Sequence, residues 1–204
     1  MMKHLKNRWK HSSFILEVKD SINKIFFLKE SDQPVDLRGI VVGLDGAIPE
    51  LLNADFRTAK LSGQVFGYSK FSCSFNHGHF SSVDFSLSYF DTCDFIKSIF
   101  LECSFAQSKI SSPTLDDAIF QNCTFHSAKI SGRGFTEYGG RRTTFKNCVF
   151  NNCTFKNLEI RGCKFIDCNF DGVLFDTCII TGTSFLGSTA PPSAFSRCEG
   201  QIPQ

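Results

Sequence analysis

The sequence predicts an all-β solenoid, a chain that turns a corner every five residues and winds into stacked coils. Two observations carry this. From Phe75 to Phe185 every fifth residue is large and apolar, Gly140 being the one exception among the twenty-three positions in register. The position two before each centre is mostly small or apolar, and all ten cysteines, from Cys73 to Cys198, keep that phase. A period of five matches neither the 3.6 of a helix nor the 2 of a strand, so neither element buries this set on one continuous face. A chain bent every five residues does, because each short side points its central residue at a common axis and each coil is covered by its neighbours.

The N-terminal end is different. Residues 1 to 11 carry Lys3, Lys6, Arg8 and Lys10 with no acid, and read as a solvated, disordered tail. From Phe14 to Phe26 the residues Phe14, Ile15, Val18, Ile22, Ile25 and Phe26 fall at helical spacing, with Ser12 or Ser13 placed to cap. Ser31-Asp32-Gln33-Pro34 ends that amphipathic helix, and Val35 to Val42 looks extended before Gly43, Gly46 and Pro49 break the chain into turns. The five-residue series opens at Leu51, Phe56, Leu61, Phe66 and Phe71. The step of four to Phe75 predicts a bulge or tightened corner. Three segments follow: a tail, helix and N-terminal cap over 1–50, the solenoid over 51–185, and an irregular tail over 186–204.

Composition narrows the functional classes. With 22 Lys and Arg against 20 Asp and Glu, the formal charge of +2 suggests neither direct nucleic-acid binding nor an acidic mimic of it. The short run Phe14-Ile15-Leu16 is cut by Glu17 and makes no signal-peptide core. No stretch approaches the roughly 18 to 20 apolar residues of a membrane span. A cytoplasmic chain is therefore expected, its cysteines free and packed as small hydrophobes. Zinc-type Cys-x-x-Cys pairs are absent.

Segments such as Cys73-Ser74-Phe75, Cys93-Asp94-Phe95, Cys123-Thr124-Phe125, Cys153-Thr154-Phe155 and Cys168-Asn169-Phe170 resemble the pentapeptide-repeat family. Its consensus places a small residue, then Asp or Asn, then Leu or Phe, then two mostly polar positions. The resemblance covers about residues 51 to 185, although Ser, Thr, Lys and Ile also occupy the Asp/Asn position. It implies a right-handed quadrilateral β-helix with four repeats to a coil. Nearly seven coils at about 4.8 Å each would make a shaft roughly 30 Å long, with the Phe14 to Phe26 helix as N-terminal cap. Some relatives dimerise through a C-terminal helix; Pro191-Pro192 and the short tail offer none, so a monomer is expected.

No nucleophile motif, phosphate-binding glycine loop or carboxylate pair stands out, so no catalytic site and no cofactor are predicted. His77 and His79 would need a third ligand from a neighbouring coil to hold a metal, and read as surface residues. Binding points elsewhere. The segment 132–144 loses its inward residues: Arg133 and Tyr138 fall at second inward positions and Gly140 at a centre, which predicts either a protruding loop or an irregular coil with Arg141 and Arg142 beside it. Counted in coils of twenty, Ile99, Ile119 and Ile179 share an outward column, Leu101 lies beside the first two, and Gly139 with Arg141-Arg142 interrupts it.

The expected function is a non-enzymatic protein-binding scaffold acting through a solenoid face and the 132–144 segment. Two alternatives come from the resemblance. Some relatives mimic duplex DNA, and bind and protect DNA gyrase or topoisomerase IV against quinolones or toxins. Others are bacterial effectors delivered into host cells. The mimics bear acidic surfaces, whereas residues 51–185 hold thirteen basic and twelve acidic side chains.

Overall fold

A computed structural model of the chain describes residues 2–44, 48–133 and 139–202. Two eight-stranded parallel sheets make two sides of a four-sided shaft. The first contains Lys60–Ser62, His79–Ser81, Ile99–Leu101, Ile119–Gln121, Thr144–Lys146, Lys164–Ile166 and Ser184–Leu186, with Glu30–Ser31 at its head. The second runs from Val41–Gly43 through Lys70–Ser72, Tyr89–Asp91, Lys109–Ser111, Lys129–Ser131, Thr154–Lys156 and Leu174–Asp176 to Phe195–Ser196. The other two sides are columns mostly of single bridges, such as Asp84 to Ser104 and Asp94 to Thr114. This is the quadrilateral β-helix, of about seven turns. Backbone groups left unpaired within a five-residue side are satisfied one coil away, as in Phe85 N–H donating to Ser104 O at 2.7 Å.

The ladder is the core. Phe80, Phe100, Phe120, Phe145, Phe165 and Phe185 stack in one column at 4.7–5.1 Å between ring centroids, with interplanar angles of 4–13°. Neighbouring columns meet edge to face, as Phe100 and Phe105 do at 5.4 Å and 73°. Most of the cysteines hang beside these rings and donate S–H to the carbonyl one coil below. Cys103 reaches Phe80 O, Cys123 Phe100 O, Cys148 Phe120 O and Cys168 Phe145 O, all at 3.4–3.5 Å. Burial pushes the thiols of Cys163 and Cys178 up to about 11 and about 12. The ten cysteines are free.

Pairing starts earlier and ends later than residues 51 and 185. Leu37, Ile40 and Val42 are fully buried, and Val42 pairs with Phe71. Phe195 pairs with Phe175 and stacks on it at 4.9 Å, so the expected irregular tail continues the coil. The step from Phe71 to Phe75 is a tightened corner: Lys60 pairs with His79 and Lys70 with Tyr89, nineteen residues on, and both phenylalanines stay buried.

A larger difference lies downstream. Ile99 pairs with Ile119 after twenty residues, but Ile119 pairs with Thr144 and Lys129 with Thr154 after twenty-five. The chain carries five extra residues between Ile130 and Gly140. Because the insertion equals one period, it preserves the phase of the sequence ladder and moves every later residue to a different face from the one that counting in twenties assigns.

The N-terminal residues form a cap instead of the expected disordered tail. Helix α1 (Met2–Arg8) buries Leu5, and Trp9 follows it at 5% exposure. The Arg8 guanidinium forks onto the Asp36 carboxylate at 2.9 and 3.1 Å and also donates to Arg38 O, while Trp9 Nε1 donates to the same carbonyl. The amphipathic helix is α2 (Ser12–Ile22) continued by a π-helical turn, Asn23–Leu28. It begins after His11, and neither expected serine serves as its N-cap. Val18, Ile22, Ile25 and Phe26 close the end of the shaft, with Phe26 packed 5.0 Å from Phe56.

Arg38 and then Arg8 hold the Asp36 carboxyl far below its ordinary value of 3.8. A depressed folded-state value contributes stability that is present above the unfolded value and is lost as pH falls through and below it. Below about pH 4, α1 is therefore expected to loosen. The single tryptophan, Trp9, reports it: acid titration should red-shift its emission before the far-UV β signal is lost.

Candidate interaction surfaces

Packing the cap against the first sheet leaves an open groove of about 670 Å³ at the N-terminal end of the shaft. Leu28, Glu30 and Lys60 line one part of it, and His79, Ile99 and Leu101 the other. Residues on each strand alternate inward and outward, so Phe80, Phe100 and Phe120 fill the core while their neighbours project from the sheet. Ile119 pairs directly with Ile99 and extends the aliphatic surface one coil further. Leu28 is 65% exposed, Leu101 38% and Ile119 39%.

The structure thus brings together Ile99, Leu101 and Ile119 but not Ile179. Ile179 pairs with Glu159 on a different side, because the five-residue insertion lies between them. Arg141 and Arg142 are displaced with it. They do not interrupt the isoleucine column; Gly139–Arg141 is a strand beside Glu159–Arg161. Arg141 Nε donates to Glu159 Oε1 at 3.0 Å, and Arg142 forks onto Asp117 at 2.7 and 2.8 Å. That fork holds the Asp117 carboxyl below its ordinary value.

Gly139 and Gly140 belong to a regular coil. Gly139 has φ +135°, and a Cβ there would stand 2.3 Å from Glu159 O, so only glycine fits. Gly140 takes the inward place above Leu115. A Cβ there would meet Thr143 Oγ1 at 2.2 Å, and Thr143 itself donates to Leu115 O at 2.7 Å. The void beside it holds only about 10 Å³. Arg133 stands at the start of the insertion and pairs with Asp91 at 2.5 Å. Tyr138 lies outside the described residues.

His77 sits at a corner with φ +58° and His79 on a strand. Among the described residues no group of three or more His, Cys, Asp or Glu side chains is arranged to hold a metal ion, and no helix is long and apolar enough to cross a membrane. Sequence reasoning missed Leu28, Lys60 and His79 as groove residues. The helical period of residues 14–26 stops short of Leu28, and which sheet the cap leans on has no local signal.

Comparison with known proteins agrees with this geometry. A family model described as pentapeptide repeats matches residues 141–172 with 8 copies. No curated protein sequence matches significantly. Among solved structures, a trypsin-treated variant of QnrB1, a plasmid-mediated fluoroquinolone resistance protein, superposes with a TM-score of 0.57 at 12% identity, over 84% of this chain and 79% of that one. A pentapeptide repeat protein from the Arabidopsis thaliana thylakoid lumen gives 0.37 at 15% identity, over 60% of this chain and 73% of its own. At these identities the first likeness concerns the fold alone. The repeats matched at 141–172 are one stretch of a ladder that the chain keeps coil after coil, and over that stretch the chain is similar to pentapeptide repeats.

Proposed function

We propose that this chain is a non-enzymatic scaffold that binds a protein partner on the first sheet, across the groove beneath the cap. The observation that supports it most is the aliphatic surface of Ile99, Leu101 and Ile119, which runs into that groove outside the buried rings of Phe80, Phe100 and Phe120. A filled shaft has little concave room for convergent catalytic groups. The arginines of the 132–144 segment take a lesser part in this reading, since Arg133, Arg141 and Arg142 are each engaged by a carboxylate of the chain itself. Affinity capture compares wild type with Ile99→Glu/Leu101→Glu and with Arg141→Ala/Arg142→Ala. The first variant should lose its partner and the second retain most of it. Full retention by the groove variant, with an unchanged circular dichroism spectrum, would sink the reading.

A second reading rests on the likeness of fold to QnrB1, a plasmid-mediated fluoroquinolone resistance protein. In it the chain protects a type II topoisomerase. The near-equal charges of residues 51–185 speak against DNA-like electrostatics. A gyrase supercoiling assay with a quinolone separates the two readings: no effect of the protein on supercoiling or on its inhibition rejects topoisomerase protection.

A further inference from the structure

The balanced total charge leaves room for a local basic column. On the second sheet the outward side chains of consecutive coils are Lys70, Tyr89, Lys109 and Lys129, each in register with the next. Lys70 Nζ and Lys109 Nζ lie 5.7 and 5.2 Å from the centroid of the Tyr89 ring, one from the coil before it and one from the coil after. The strands repeat a motif, Lys70-Phe71-Ser72, Lys109-Ile110-Ser111 and Lys129-Ile130-Ser131, in which Ser72 and Ser131 are half-buried and Ser111 is buried.

Lys109 and Lys129 stand directly opposite each other and are exposed, and neither has an ion-pair partner among the described residues. The carboxylates on the same face are already engaged. Arg133 pairs with Asp91, and Arg197 with Lys156 pairs with Asp176. Like charges opposed across a ladder are destabilising, so an anion seated on Lys109 and Lys129 would relieve their repulsion.

We propose that the second sheet binds the phosphate backbone of nucleic acid, without regard to sequence. The chemistry favours phosphate over the carboxylates of an acidic protein. The column presents ammonium point charges, with the half-buried hydroxyls of Ser72 and Ser131 at its two ends, side chains of the kind that contact phosphate and sugar, and contains no arginine fork of the kind that grips carboxylates. The groove suited to an apolar anchor lies on the other sheet. From Lys70 to Lys129 the column spans about 14 Å at about 4.8 Å per coil, a length over which one strand of a duplex places about four phosphates.

The test is fluorescence anisotropy of a labelled 20-base-pair duplex with the full chain, titrated in salt. Wild type should bind at low salt, and Lys109→Glu/Lys129→Glu should bind at least tenfold more weakly. The slope of log affinity against log salt should fall by about 2. Lys109→Arg/Lys129→Arg should retain binding. Ile99→Glu/Leu101→Glu should too, which keeps this surface distinct from the groove. Thermal melts establish that each variant is folded. No binding by wild type at low salt, unchanged affinity of the glutamate variant, or tighter binding to poly-glutamate or to anionic vesicles than to DNA would each overturn the proposal.

Discussion

Phe100→Ala is expected to lower stability by about 3–5 kcal/mol and the midpoint of thermal unfolding by roughly 10–15 °C. Phe100 has no exposed surface and lies between Phe80 at 4.7 Å and Phe120 at 4.9 Å, both nearly parallel to it. A tilted contact to Phe95 and an edge contact to Phe105 enclose the remaining sides. Removing the ring leaves a void that cannot collapse, because the backbone around it is pinned to the coils above and below by the parallel ladder. The loss is also strategic in a one-dimensional stack. Each coil is stabilised chiefly by its two neighbours, so a defect at Phe100 weakens the joint between the capped end and the rest of the shaft. Chemical denaturation of the variant should show a lower midpoint. A loss below about 1 kcal/mol would contradict the packing described.

The second large effect runs against the pattern of the sequence. Gly140→Phe restores the one missing rung of the ladder, and it is expected to destabilise the protein by about 1–3 kcal/mol or more through overpacking. Thr143 Oγ1 and the Leu115 Cβ already occupy the space a side chain would need, at 2.2 and 2.9 Å from the position of a Cβ. Displacing Thr143 would also break its hydrogen bond to Leu115 O, costing about 1 kcal/mol. Differential scanning calorimetry of Gly140→Phe beside wild type decides this, and a raised melting temperature would show that the rung was merely empty.

The same residue shows where reading the sequence succeeds and where it stops. The inward set is legible because burial demands one residue type at one period, and the rings at Phe75, Phe100 or Phe165 stand where counting in fives puts them. The coil count along the shaft needs a second quantity, the number of residues per coil, and no burial rule fixes that. The five extra residues before Gly140 are silent in a period of five. They move Ile179 off the column of Ile99 and Ile119, and they place Arg142 over Asp117. The N-terminal cap was half legible. Apolar spacing marks α2, but the role of Arg8 and Trp9 depends on Asp36 and Arg38, nearly thirty residues away, and a basic dozen residues gives no local sign of burial. The outward surfaces were the least legible, since a solenoid tolerates almost any polar residue there. The lysine column becomes visible only once strands are laid in register.

The buried thiols give this chain a built-in depth gauge. Cys103, Cys123, Cys148 and Cys168 mark consecutive coils, each masked from solvent and tied by its S–H to the carbonyl below, while Cys73 and Cys198 near the two ends are less enclosed. A thiol so held is alkylated only when its own coil opens. Pulse labelling followed by mass spectrometry would therefore read out, residue by residue, how far fraying penetrates from each end. A shaft that melts from its termini would mark Cys198 first and Cys123 last. One that breaks in the middle would reverse that order, and the ladder would record its own unwinding.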